Sequence, residues 1–396
     1  MAKKRYSKRN KIEPSQLTLT FATAVIPPGP VVSNYIDLSQ VASLVNRRFY
    51  RQGINWAVAG FKFLTPSGFN GQISVNKLPN TWVMSNAWEK GMRAWMRMNN
   101  EALSESPSVR PKFLDFKVFA DATHHAAGRA ANLLPVSVND HVTGDIALPG
   151  EWEMSKFVIP DNSNPGFSTE REIIATGINY PGAGASGFNA VSLIEGYAAS
   201  RGLPDIVDPN VPDDTADASG ATPQNYLTAL FNEGTSQDEA VLDDMITENN
   251  LAPYPFENDG VSTDTQYPGG ANQLIGLQIH SIENVSPTTI GGTTRIKGGN
   301  FPCGLISIDA TNTGESANIV IQIDLVPGSH RGYLCEPMTE IEIMSLVPEP
   351  VKDAVVSARL LSHVRANRIE YLLAIGLLHL LGVTDRVFGH VSGVCF

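Results

Sequence analysis

Cysteine is scarce. The chain holds three, Cys303, Cys335 and Cys395, scattered and without a CxxC pair. That pattern argues against a disulfide framework or a thiolate zinc site and fits a reducing compartment. Long apolar runs are lacking too. The longest, Leu372 to Val383, has His379 inside it and falls well short of the ~20 residues of a membrane span. The chain starts with charge and no apolar core behind it, so no secretory signal peptide is expected. A soluble protein with no stable membrane span follows. No GxSxG elbow, GxxxxGKS/T phosphate loop or HExxH is present, so nothing compels an enzyme, and neither a catalytic residue nor a cofactor is assigned.

The most informative absence is local. From Gly202 to Thr294 there is no Lys or Arg against fifteen Asp and Glu, whereas Met1 to Ile12 carries Lys3, Lys4, Arg5, Lys8, Arg9 and Lys11 and no acid. The net charge of −11 therefore conceals a basic end and an acidic middle. A mobile basic arm is attracted to phosphate and gains by counterion release, while the acidic segment is repelled, so the two are expected to face opposite ways. The arm, residues 1–16, is too polar to fold alone. A solubilising tail or nuclear-import signal is the blander reading of it, and import and nucleic-acid binding are not exclusive.

What is abundant is Gly and Pro, 34 and 26 residues, punctuating short apolar runs as in a β-rich fold with many turns. Leu17 to Thr23 alternates cleanly as a first strand, and Val31 to Leu38 is a second extended piece. Ser39 to Arg47 reads as a short helix with Ser39 as its cap. Arg47, Arg48 and Arg51 form a second basic cluster. Further strands are expected over Asn55–Leu64, Gln72–Lys77, Phe113–Ala120, Glu151–Ile159, Glu172–Thr176, Leu274–Ile282, Leu305–Asp309 and Ile319–Val326. Between them Trp88, Met92, Trp95 and Met96 recur at helical spacing and make an apolar stripe, a helix to buttress one sheet. The whole predicts a mainly β, antiparallel, eight-stranded jelly roll of two sheets, split as residues 17–202 and 272–347. The acidic residues 203–271 form a projecting insertion, and residues 348–396 a helical tail with Arg365 and Arg368. That tail is expected to pack on its own domain or a neighbour, with a membrane-active role as the lesser alternative.

Several constellations have bland and sharp readings. Gly182, Gly184 and Gly187 spell GxGxxG, but no βαβ alternation surrounds them and Pro181 precedes the first glycine, so a surface loop outweighs a dinucleotide site. Asp121, His124, His125 and His141 read better as solvated loop residues than as metal ligands, because vicinal histidines in a strand point apart. Asp213, Asp214, Asp217, Asp243 and Asp244 have no EF-hand spacing and read as surface charge rather than a calcium site. Lys90, Arg93 and Arg97 share a helix face with Glu89 and Glu101 and read as ion-paired rather than nucleic-acid-binding.

Four stretches carry a resemblance: GFKFLTP from Gly60, KLPNTWVMSNAWEKGMRAWMRMNNEA from Lys77, RPKFLDFKVFADATHHAAG from Arg110 and GEWEMSKFVIPD from Gly150. Together they resemble the capsid proteins of small circular Rep-encoding single-stranded DNA (CRESS-DNA) viruses of eukaryotes, over about Phe21 to Asp161 and poorly in the acidic insertion. The insertion and C-terminal tail are also similar to bacilladnavirus capsid proteins, and both groups stay open. The resemblance implies a jelly roll that self-assembles, many copies of itself around circular single-stranded DNA, into an icosahedral virion. Lys3, Lys4, Arg5, Lys8, Arg9 and Lys11 would then line the interior and bind DNA without reading its sequence. The arm is short beside the Arg-rich tails of many relatives, which brings Arg47, Arg48, Arg51, Arg365 and Arg368 into play as extra interior charge. An attachment or spike β-sandwich is the alternative, and a nucleotide-binding enzyme using Gly182, Gly184 and Gly187 the remoter one.

Overall fold

The computed structural model describes residues 14–109, 114–136, 146–160, 167–201, 276–286 and 292–338. Most of the basic arm, the acidic stretch 203–271 and the tail 348–396 lie outside the described residues. In chain order, β1 (Thr18–Ala22) and β2 (Val32–Asp37) lead into α1 (Leu38–Asn46), then β3 (Ile54–Leu64), β4 (Gly71–Lys77) and the long α2 (Trp82–Glu105). The short α3 (Ala122–Ala127) precedes β5 (Lys156–Pro160), β6 (Ser168–Ile174), β7 (Ala190–Ser192) and α4 (Leu193–Arg201). The chain then runs through β8 (Gln278–Val285), β9 (Thr293–Phe301), β10 (Leu305–Asn312) and β11 (Val320–Leu325). Three short strands follow, β12 (Pro327–Gly328), β13 (Gly332–Tyr333) and β14 (Cys335–Pro337).

The fold is mainly β, built on antiparallel sheets. In the first, β1 pairs with β11 and β11 with β3, while β9 runs along the other edge of β3. Trp56 faces both Phe301 and Cys335, so β14 must lie on the β11 edge, resuming that ladder after the β12–β13 hairpin. The second sheet has the order β2-β10-β4-β8. Pairing is nested: β1 with β11, β2 with β10, β3 with β9, β4 with β8.

Alternation fixes which faces meet. Ile306, Ile308 and Ala310 of β10, Ile73 and Val75 of β4, and Ile321 and Ile323 of β11 point into one core shared by the two sheets. On β3 the inward set changes parity, Trp56 and Val58 followed by Phe61 and Phe63. The register shift between Asp324 and Leu325, which leaves Ala59 as a bulge, keeps both halves facing inward.

The connection from β4 to β8 builds a second layer. Trp88 and Trp95 of α2 are buried with Phe116, Val118, Leu193 and Tyr197, and this core reaches the sandwich at Tyr35, Cys303 and Leu305. Thr81 caps α2 by accepting from the backbone of Met84. Within this layer β5, β6 and β7 form a small sheet in which β6 and β7 are parallel.

Three expectations need correction. The cap of α1 is Asp37, which accepts from the backbone of Ser39 and Gln40; Ser39 is the second residue of the helix, two positions past the cap. The described part of Phe113–Ala120 is not a strand: one bridge joins Phe119 to Ile174, and single backbone bonds reach it from Ser155 and Thr176. β9 has no counterpart in the sequence reading, because TTRIKGGNF buries little more than Ile296 and Phe301. Its Gly298 is required: a Cβ there would lie 1.9 Å from the Val58 carbonyl oxygen.

Candidate nucleic-acid interface

The first described residues are clamped at one corner of the sandwich. Ser15 Oγ donates to the Gly332 carbonyl at 3.3 Å, the Gln16 N–H to Asn46 Oδ1 at 3.1 Å, and Tyr333 OH to the Gln16 carbonyl at 2.7 Å. Asn46 Nδ2 donates to the same Tyr333 oxygen at 2.7 Å. The root of the basic arm therefore sits between the C-terminal end of α1 and the turn of the β12–β13 hairpin.

Basic groups ring this root. Arg47 ends α1 in the left-handed conformation, φ 53° and ψ 38°, and is exposed. A cation is favoured at the negative end of a helix dipole. Arg47 lines a groove with Gln16, Leu44 and Leu148, and a second with Arg48, Phe49 and Trp152. Across the corner, exposed Arg331 donates from Nη1 to the Phe49 carbonyl, and its own carbonyl accepts from Tyr50 OH at 3.0 Å. His330 packs 6.3 Å from the Tyr50 ring, and burial, then the Arg331 charge, hold its pKa below the ordinary value.

Of the sequence candidates, the structure brings Arg47 and Arg48 to the arm root. Arg51 is exposed, and its charge acts on the Asp115 carboxyl. Lys3, Lys4, Arg5, Lys8, Arg9, Lys11, Arg365 and Arg368 lie outside the described residues. Sequence reasoning missed His330, which packs on Tyr50, and Arg331, which bonds to Phe49 and Tyr50 from 282 and 281 positions away in the chain. Their one signal was a His-Arg pair in the turn between β12 and β13. Guanidinium groups beside the root of a basic arm can hold phosphates by charge-assisted hydrogen bonds without reading bases.

The other constellations resolve differently. Arg93 pairs with Glu89 one helical turn away, and Lys90 Nζ lies 5.2 Å from the Tyr197 ring centroid. The glycine loop joins β6 to β7, and α4 starts only after β7, so none of the three glycines stands at a helix N-terminus. It is a surface loop, folded so that Gly184 donates to the Phe188 carbonyl at 3.0 Å.

Asp121, His124 and His125 are not solvated loop residues, as the sequence had implied; all three are buried. Asp121 caps α3, whose two histidines go separate ways: His124 Nε2 meets Asn132 Oδ1 at 2.7 Å and His125 Nε2 meets Glu172 Oε2 at 2.8 Å. His141 lies outside the described residues. Among the described residues no group of three or more His, Cys, Asp or Glu could hold a metal ion, and no helix is long and apolar enough to cross a membrane. Comparison with family models, curated proteins and solved structures gave no match.

Proposed function

We propose that the chain is a structural capsid protein, many copies of which assemble into an icosahedral shell and package circular single-stranded DNA. The observation that carries this reading is the nested pairing of β1–β4 with β11–β8 in reverse order, giving β1-β11-β3-β9 and β2-β10-β4-β8. That order is what a long antiparallel hairpin produces when rolled into an eight-stranded jelly roll, an architecture that recurs in viral capsids. The arm root beside Arg47, Arg48 and Arg331 adds to it. Charge gathered at one corner repeats by symmetry in a shell, so weak contacts from each copy act together on one genome. The resemblance over Phe21 to Asp161 points the same way.

Negative-stain electron microscopy of the full chain expressed alone tests this, before and after nuclease and a high-salt wash. Uniform round shells are expected. A variant lacking residues 1–12 should still form them with less nucleic acid. Small oligomers under every condition, with or without added single-stranded DNA, would overturn the shell reading in favour of an attachment-type sandwich. Equal nucleic-acid content in intact and shortened particles would remove the arm from packaging.

A further inference from the structure

The outer face of the first sheet has no role in the account so far. Alternation sends Phe21, Ile321, Phe63 and Ile296 into the core, so their neighbours Thr20, Gln322, Lys62 and Arg295 point away from it. These four share one register: Thr20 stands opposite Gln322, Gln322 opposite Lys62, and Lys62 opposite Arg295. They make a single polar row across β1, β11, β3 and β9, about 14 Å long at the usual spacing of strands. Two residues along β9, Lys297 points the same way and stands opposite Gly60.

Arg295 and Lys297 are exposed and Lys62 is half-buried. Every member of the row carries an N–H or O–H donor, and none is an acid. Among the described residues no carboxylate forms an ion pair with Lys62, Arg295 or Lys297. The acid nearest in register is Asp324, opposite Gly60, and its Oδ1 accepts from Thr18 Oγ1 at 2.6 Å. Folding has no use for this arrangement, because like charges directly opposite on neighbouring strands destabilise a sheet. Charge on an edge strand can block unwanted pairing, which would account for Arg295 and Lys297 on β9. It does not account for Lys62, since β3 is paired on both sides, to β11 and to β9. A polyanion laid along the row relieves the repulsion, and donors without acids suit a backbone of phosphates rather than any base sequence. The row also begins on the strand that carries the basic arm: Thr20 is four residues past Gln16, about 13 Å along an extended chain.

We propose that this row is a second nucleic-acid site, on which the sugar-phosphate backbone of single-stranded DNA lies across the sheet, held by Lys62, Arg295 and Lys297. The inference rests on the packaging reading for its ligand and adds to it a face of the fold and three residues that reading does not use.

Fluorescence anisotropy of the full chain with a labelled oligothymidine, repeated over a range of salt, tests it. Lys62→Gln/Arg295→Gln should flatten the slope of log affinity against log salt by about 1.4, and adding Lys297→Gln should bring the loss to about 2. Lys90→Gln/Arg93→Gln, which removes the same charge from α2, should leave the slope as in wild type. An unchanged slope in Lys62→Gln/Arg295→Gln, or an equal flattening from the α2 variant, overturns the row and leaves DNA binding by the arm standing. Absence of any salt-dependent binding by wild type overturns the packaging reading, and this site with it.

Discussion

Gly53 stands where α2 meets the sandwich, and replacing it with alanine should report how tightly that contact is packed. A Cβ at Gly53 would lie 2.2 and 2.3 Å from Trp88 Cζ2 and Cη2, far inside van der Waals contact. Trp88 cannot withdraw easily. It is 3% exposed and meets the Phe116 ring edge-on at 6.0 Å. Gly53 is held by its carbonyl, which accepts from Met338 N at 3.2 Å. Overpacking of this kind costs about 1–3 kcal/mol. Trp88→Phe removes the outer ring edge that carries both clashing atoms, leaving a void that the alanine methyl would partly fill. In that background Gly53→Ala should cost less than about 0.5 kcal/mol, a coupling of at least ~1 kcal/mol in the double-mutant cycle. Urea unfolding of all four proteins, followed by far-UV circular dichroism because one fluorophore changes, measures it. An equal cost of Gly53→Ala in both backgrounds would show that Trp88 is not its obstacle and would refute the reasoning.

Arg47→Gly should stabilise the chain by about 0.5–1 kcal/mol, since glycine adopts the left-handed helix end freely. It should also lower the slope of log affinity against log salt for a labelled oligothymidine by about 0.7. An unchanged slope in fluorescence anisotropy would place Arg47 away from phosphate. Tyr333→Phe removes the bonds to the Gln16 carbonyl and Asn46 Nδ2 and should cost about 1–2 kcal/mol in urea unfolding; a neutral result would mean the arm root is not held there. Burial by itself would raise the Glu172 carboxyl, but hydrogen bonds from His125 and Ser186 outweigh it, and the folded value lies below the ordinary 4.5. Its stabilisation is therefore present above pH 4.5 and lost as pH falls through the folded value. Glu172→Gln should lower the melting temperature at pH 7 and matter less near pH 3, and a loss equal at both would exclude the pair as its cause.

The strands legible in the sequence are those with one wet and one dry face. Leu17–Thr23 alternates because Leu19 and Phe21 enter the core while Thr18 pairs with Asp324 at the surface. Trp88 and Trp95 showed their helix for the same reason at a longer period. β9 was illegible because its contribution is mainly backbone: it pairs with β3 from Trp56 to Leu64, and its glycines permit close approach rather than marking a core. The cap of α1 was misplaced by two residues because Asp37 and Ser39 are both good caps, and burial chooses between them. Asp37 is held by donors from Gln52 and Trp152 that no local pattern announces, whereas Ser39 Oγ is occupied with the Arg51 carbonyl at 3.0 Å.

The histidine pair and the glycine loop were each read in isolation, and each is explained by the other. His124 and His125 lie on a helix of six residues, not a strand, so neighbours can both be buried if each finds a different partner. His125 turns to Glu172, which also accepts from Ser186 Oγ at 2.7 Å, so the glycine loop folds over the pair. Gly184 has to be glycine there, because a Cβ would sit 2.7 Å from the His125 ring and from its carbonyl oxygen. Gly182 and Gly187 turn the chain at φ 103° and 82°, conformations that side chains rarely adopt. Of three glycines at the spacing of a dinucleotide turn, Gly184 thus meets the demand for a backbone that comes very close to something planar, while Gly182 and Gly187 face open space and serve the turns. In this chain that object is an imidazole forty-seven positions from its own glutamate partner. The spacing recorded the close approach and could not record what was approached.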